Sequence, residues 1–174
     1  MKDVLRETAI ENAKKAKTSD EQYVALDIGP TGKLLAPLGD LEFEDAVKAF
    51  SVSIKAGEEA GADLILIETM NDSYETKAAV LAAKENCDLP IFVTNVYDES
   101  GKLMTGATPS AMIAMLESMG VDALGMNCSL GPDMMLDIIG EFTENASVPI
   151  IVNPNAGLPV VSGGKTAYNI DKNQ

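Results

Sequence analysis

Five short apolar runs, each followed at once by polar residues, constrain this chain more than any other feature. They are Tyr23-Val24-Ala25-Leu26, Leu64-Ile65-Leu66-Ile67, Pro90-Ile91-Phe92-Val93, Ala123-Leu124-Gly125-Met126 and Val148-Pro149-Ile150-Ile151-Val152. A strand with one wet face alternates apolar and polar residues. These runs do not, so they read as parallel strands covered on both faces. Helical patterns fill the intervals. Residues 3–17 carry an apolar stripe of Val4, Leu5, Ala9, Ile10, Ala13 and Ala16, and Phe43, Val47, Phe50 and Ile54 recur at helical spacing. Asp72-Ser73-Tyr74-Glu75 has the form of a capping box, with Glu75 three residues after the cap. Thr108-Pro109 and Gly131-Pro132 each offer a cap followed by proline at the first helical position. The methionines behind those starts, Met112, Met115, Met119 and Met135, read as core filler. Strand starts near 23, 64, 90, 123 and 148 lie roughly 31 residues apart on average, the period of a (β/α)8 barrel. The expected fold is therefore α/β, a partial TIM barrel of about five parallel βα units. An open doubly wound sheet is the alternative.

Composition narrows the chemistry. The 174 residues suit one domain, and no linker or composition shift divides them. The sequence has no histidine, which excludes Ser-His-Asp and Cys-His catalysis and any histidine-held metal within the chain. With 13 basic and 27 acidic residues the net charge is -14, which argues against nucleic acid or an anionic membrane as partner. Two cysteines point to a reducing compartment rather than a disulfide framework. The charged start, Met1 to Lys17, has no apolar signal-peptide core, and no run approaches the ~20 residues of a membrane span. The expected location is the cytoplasm.

In parallel α/β folds, chemistry gathers at the carboxyl ends of the strands. Those ends read Asp27-Ile28-Gly29-Pro30-Thr31-Gly32, Glu68-Thr69-Met70, Asn95-Val96-Tyr97, Asn127-Cys128-Ser129 and Asn153-Pro154-Asn155-Ala156-Gly157. All five are polar, which favours a site over a plain scaffold. The stretch Gly29-Pro30-Thr31-Gly32-Lys33 is not a phosphate loop. Only two residues separate its glycines, and Leu34 follows the lysine. A tight turn at the barrel rim is the better reading. Glu68, behind four aliphatic residues, either pairs with a nearby donor, binds a cationic group or acts as a base. Cys128 stands between a strand end and a helix start, where the helix dipole favours a thiolate. Cys87 ends a helix before a strand, on the opposite rim, and reads as structural. No strand ends in a lysine, which speaks against a Schiff-base aldolase.

Taken together, Asp27-Ile28-Gly29-Pro30-Thr31-Gly32, Ile67-Glu68-Thr69, Gly125-Met126-Asn127-Cys128-Ser129-Leu130-Gly131-Pro132 and Pro154-Asn155-Ala156-Gly157-Leu158-Pro159 resemble the homocysteine S-methyltransferase domain family. The likeness is strongest to the N-terminal homocysteine module of cobalamin-dependent methionine synthase. It runs over essentially the whole chain, in order. The resemblance implies strands three to seven of the family barrel, so residues 1–174 would be a single incomplete homocysteine-binding barrel domain. It implies a zinc ion that activates the homocysteine thiolate for attack on a methyl donor, giving methionine. Cys128 and Asn155 would be metal ligands, Glu68 would bind the substrate ammonium, and Asp27 and Asn127 would complete the substrate pocket. The family's other two zinc cysteines, adjacent in a glycine-rich motif after the last strand, are not in this sequence. Neither are the first two strands. The chain alone is therefore expected to be inactive. Cobalamin would sit on a separate module, and the implied partners are the missing barrel segments and the cobalamin and folate modules. A non-enzymatic truncated barrel is one alternative, and a betaine- or S-methylmethionine-dependent methyltransferase is another.

Overall fold

Parallel strands need a crossover of a dozen or more residues between them, and each interval here supplies a helix. The computed structural model describes residues 2–157 and 160–168, with side chains from Thr8 onward. The stripe residues Val4 and Leu5, and Leu158-Pro159 of the last motif, lie outside the described side chains or residues. Helix α1 (Lys2–Ala16) is followed by β1 (Ala25–Ile28), α2 (Phe43–Glu59), β2 (Leu64–Met70), α3 (Ser73–Asn86), β3 (Ile91–Asn95), α4 (Pro109–Ser118), β4 (Ala123–Asn127), α5 (Pro132–Asn145) and β5 (Ile150–Asn153). The five strands form one sheet in the order β1-β2-β3-β4-β5, every pair parallel. Strand order follows chain order without reversal, as in a barrel and not as in a doubly wound sheet. Among the described residues the barrel is not closed. β1 pairs only with β2, and β5 only with β4.

The alternation of side chains assigns the two faces. Leu26, Ile28, Ile65, Ile67, Ile91, Val93, Leu124 and Met126 point one way and are all buried in the main core with the helices. Ala78, Ala79, Ala82 and Ala83 let α3 sit close against them. The other face carries Asp27, Leu66, Glu68, Phe92 and Ile151, each half-buried or exposed. Gly125 also belongs to that face. A Cβ there would lie 1.8 Å from the Ile151 carbonyl oxygen, so the β4–β5 pairing requires glycine.

Several boundaries differ from the apolar runs. Tyr23 lies before β1 and is exposed, whereas Asp27 lies inside the strand, opposite Leu66. Val148 and Pro149 precede β5. Ladder hydrogen bonds, not apolarity, set where a strand stops. The helix starts hold, with Asp72, Thr108 and Gly131 as caps, and Met112 and Met135 are buried. The capping box does not close. Asp72 accepts from Tyr74 N at 2.8 Å, but Glu75 turns away and accepts from Thr31 N and Thr31 Oγ1 at 2.7 and 2.6 Å. This buried carboxylate ties α3 to the loop after β1. An antiparallel hairpin of β6 (Val160–Ser162) and β7 (Lys165–Ala167) follows β5. Its two-residue turn, Gly163-Gly164, takes positive φ at both positions.

Candidate functional site

The carboxyl rim gathers backbone strain. Thr69, Cys128 and Ser129 are the non-glycine residues with positive φ among those described, at 60°, 57° and 60°. A β-branched residue in that region is a genuine outlier, and such strain persists only where neighbours hold it. Here the holder is Asn127, the last residue of β4 and itself buried. Its Oδ1 accepts from Thr69 N at 3.1 Å, and its Nδ2 donates to Thr69 Oγ1 at 2.8 Å. The same Nδ2 lies 3.5 Å from Cys128 Sγ. One amide thus ties the end of β2 to the end of β4 across β3.

Glu68 precedes Thr69 where the β2–β3 register shifts between Ile67 and Met70. A bulge at a strand end re-aims a side chain. The Glu68 carboxyl is raised above its ordinary range, first by burial and then by the negative charge of Asp27. Asp27 is raised by burial as well. Two carboxylates from neighbouring strands therefore face the same half-open space and repel each other. Such a pair favours a bound cation, which relieves the repulsion.

The β5 end is fastened to the same rim. Cys128 N donates to Asn153 O at 3.0 Å, and Asn155 N donates to Leu130 O at 3.0 Å. Asn155 is thereby brought beside the Cys128 turn. Cys87 lies on the opposite rim, at the C-cap of α3, with its Sγ 3.4 Å from Ala83 O. Burial raises its thiol. Both cysteines are free. Among the described residues no three His, Cys, Asp or Glu side chains gather as a metal site. Cys128 brings one thiol and Asn155 one amide, whereas a zinc site takes three or four protein ligands. These residues do not by themselves fit a zinc ion.

The rim thus joins all five expected residues: Asp27 and Glu68 through their charges, Asn127 and Cys128 through the amide, and Asn155 through the backbone. Sequence patterns do not mark the roles of Thr69 and Glu75 at this rim. A threonine after a glutamate carries no signal for positive φ, which glycine and asparagine ordinarily mark. Glu75 looked like a local cap because its distant partner, Thr31, is invisible in the sequence.

A parallel βα sheet whose strands follow chain order, with polar and strained residues collected at its carboxyl rim, has the architecture of the (β/α)8 barrel class. The homocysteine S-methyltransferase family model matches residues 2–174, and the chain belongs to that family. It is 32% identical over 159 residues to a methionine synthase of Mycobacterium leprae, covering 88% of this chain and 13% of that protein. A methionine synthase of Mycobacterium tuberculosis is 32% identical over 153 residues, covering 85% of this chain and 13% of that protein. The chain thus spans a small part of these relatives. Among solved structures, the apo form of the Escherichia coli homocysteine methyltransferase MmuM superposes with a TM-score of 0.77 at 22% identity, covering 90% of this chain and 61% of that one. Its metallated form gives 0.71 at 24% identity, covering 89% and 59%. These likenesses show the fold.

Proposed function

We propose that residues 1–174 are the substrate-binding part of a homocysteine methyltransferase domain of the methionine synthase type, one incomplete domain working in the cytoplasm. The observation that carries this reading is the Asn127 amide, which joins Thr69, the residue after Glu68, to the Cys128 turn. Homocysteine is an α-amino acid with a thiol two methylenes beyond its α-carbon. Its ammonium suits Glu68, with Asp27 as a second negative charge, and its sulfur suits the Cys128 end of the rim. Asn127 and the Asp27 to Gly32 turn shape the space between. Methyl transfer forms a carbon–sulfur bond to that sulfur and breaks the bond between methyl and donor. With no histidine in the sequence, no imidazole base stands among these residues.

Zinc enters the proposal only as an ion that thiolates from a segment not in this sequence would share with Cys128, with Asn155 beside it. Methylcobalamin on a separate module is the proposed donor, supported by the likeness to two methionine synthases. The 174-residue chain, purified alone, is expected to lose zinc on dialysis against a chelator and to form no methionine. Stoichiometric zinc surviving that dialysis overturns the ligand assignment. In a protein that carries the rest of the barrel, Cys128→Ser is expected to abolish methionine formation. A rate unchanged by Cys128→Ser sinks the assignment of the thiol.

A further inference from the structure

The geometry points to Asn127 as a positioning residue that fixes the distance between the carboxylate end of β2 and the thiol end of β4. This inference rests on the homocysteine reading and gives it a mechanical part. β2 and β4 are not neighbours, since β3 lies between them. Nothing in a parallel ladder therefore sets the spacing of Glu68 and Cys128 directly. The Asn127 amide does so, because both its ends engage Thr69 while its nitrogen also reaches Cys128 Sγ. Both anchored residues, Thr69 and Cys128, are strained, as is Ser129 next to Cys128. Strain on both sides of one buried amide is what a clamp holding two turns out of their relaxed conformations produces. Released, Thr69 would relax toward ordinary strand geometry and swing the neighbouring Glu68, and Cys128 would relax independently. A ligand with ammonium and sulfur at fixed separation senses that change. A ligand with sulfur alone does not.

Disulfide exchange on the 174-residue chain tests this without a metal. Homocystine and dithiodibutyrate share the same carbon chain and carboxylate, but only homocystine carries the ammonium. In each case the Cys128 thiolate attacks one sulfur of the reagent, whose S–S bond breaks as the protein–ligand S–S bond forms. The other half leaves as a thiolate that water protonates, so no oxidant is consumed. Competing the two reagents cancels differences in thiol reactivity, and Cys87 serves as an internal reference. Relative to Cys87, the wild-type chain is expected to prefer homocystine at Cys128 by roughly ten-fold, the scale of one charge-assisted contact. Glu68→Gln should remove the preference. Asn127→Ala should reduce it to about two-fold or less, and Thr69→Val, which keeps the Thr69 N–H but loses the hydroxyl, should do so in part. Thr69→Ser should retain it. At Cys87 any preference reflects only the lower negative charge of homocystine against an acidic chain, and both that preference and the exchange rate should stay the same in every variant, which a general loosening of the fold would not imitate. If Asn127→Ala unfolds the chain, the Thr69→Val and Thr69→Ser pair decides the matter. Full preference in Asn127→Ala, or in Thr69→Val, overturns the clamp and leaves the homocysteine reading standing. A wild-type chain with no preference overturns the ammonium reading of Glu68, and the clamp falls with it.

Discussion

At the amino rim of the sheet, Asp63 and Asp122 make the same reciprocal pair twice. Asp63 N donates to Val24 O and its Oδ2 accepts from Val24 N, at 2.8 and 2.7 Å. Asp122 does likewise with Ile91, at 2.9 and 2.8 Å. Each joins the start of one strand to its immediate neighbour, with ordinary backbone geometry. At the carboxyl rim, Asn127 reaches past a neighbour to a second strand and holds residues in the left-handed region. Both rims satisfy backbone groups with side chains, but only one does so under strain. The amino rim fastens neighbouring strands without strain, whereas the carboxyl rim holds strained residues where a site can form.

Gly125 lies between the rims, and its substitution should damage both. Gly125→Ala drives a Cβ into the Ile151 backbone and separates β4 from β5, on which Cys128 and Asn155 depend. A loss of about 3–5 kcal/mol in urea-unfolding free energy is expected. A stability within error of wild type would mean that the strand pair can open without cost.

Asp122→Ala should separate the rims. It leaves the Ile91 amide without its side-chain acceptor, for a loss of about 1–3 kcal/mol, while the reagent preference at Cys128 stays unchanged. A changed preference would show that the amino rim sets the site as well.

Glu68→Gln should act in the opposite direction. Because the folded-state carboxyl of Glu68 is raised, the folded chain binds more protons than the unfolded chain between the ordinary carboxylate range and the raised value. Stability should therefore fall as pH rises through that window. Glu68→Gln should flatten this dependence and leave the chain more stable at neutral pH. Urea unfolding at about pH 4, below the ordinary carboxylate value, and at about pH 7 reads the difference. An unaltered slope would place the repulsion elsewhere.

The smallest effect is expected at Cys87. Its replacement by serine should cost at most about 1–2 kcal/mol and leave the Cys128 preference intact. A shift in that preference would break the separation of the rims.

The sequence by itself determined the five βα units, their parallel character and the clustering of polar groups at strand ends. Those features follow from local patterns: unbroken apolar runs, helical periodicity, and caps such as Thr108-Pro109. It also carried the motifs around Glu68, Asn127, Cys128 and Asn155 through their resemblance to one family. The Gly163-Gly164 pair is likewise a local hairpin signal, following Val160-Val161. Only the tertiary structure decided that Glu75 holds Thr31 rather than its own cap, that Asp27 and Glu68 repel each other, and that Asn127 spans from β4 to β2. The reason is physical. Periodicity and capping act over a few residues, within reach of a sequence pattern, whereas these contacts join positions 44, 41 and 58 residues apart, and folding alone brings them together.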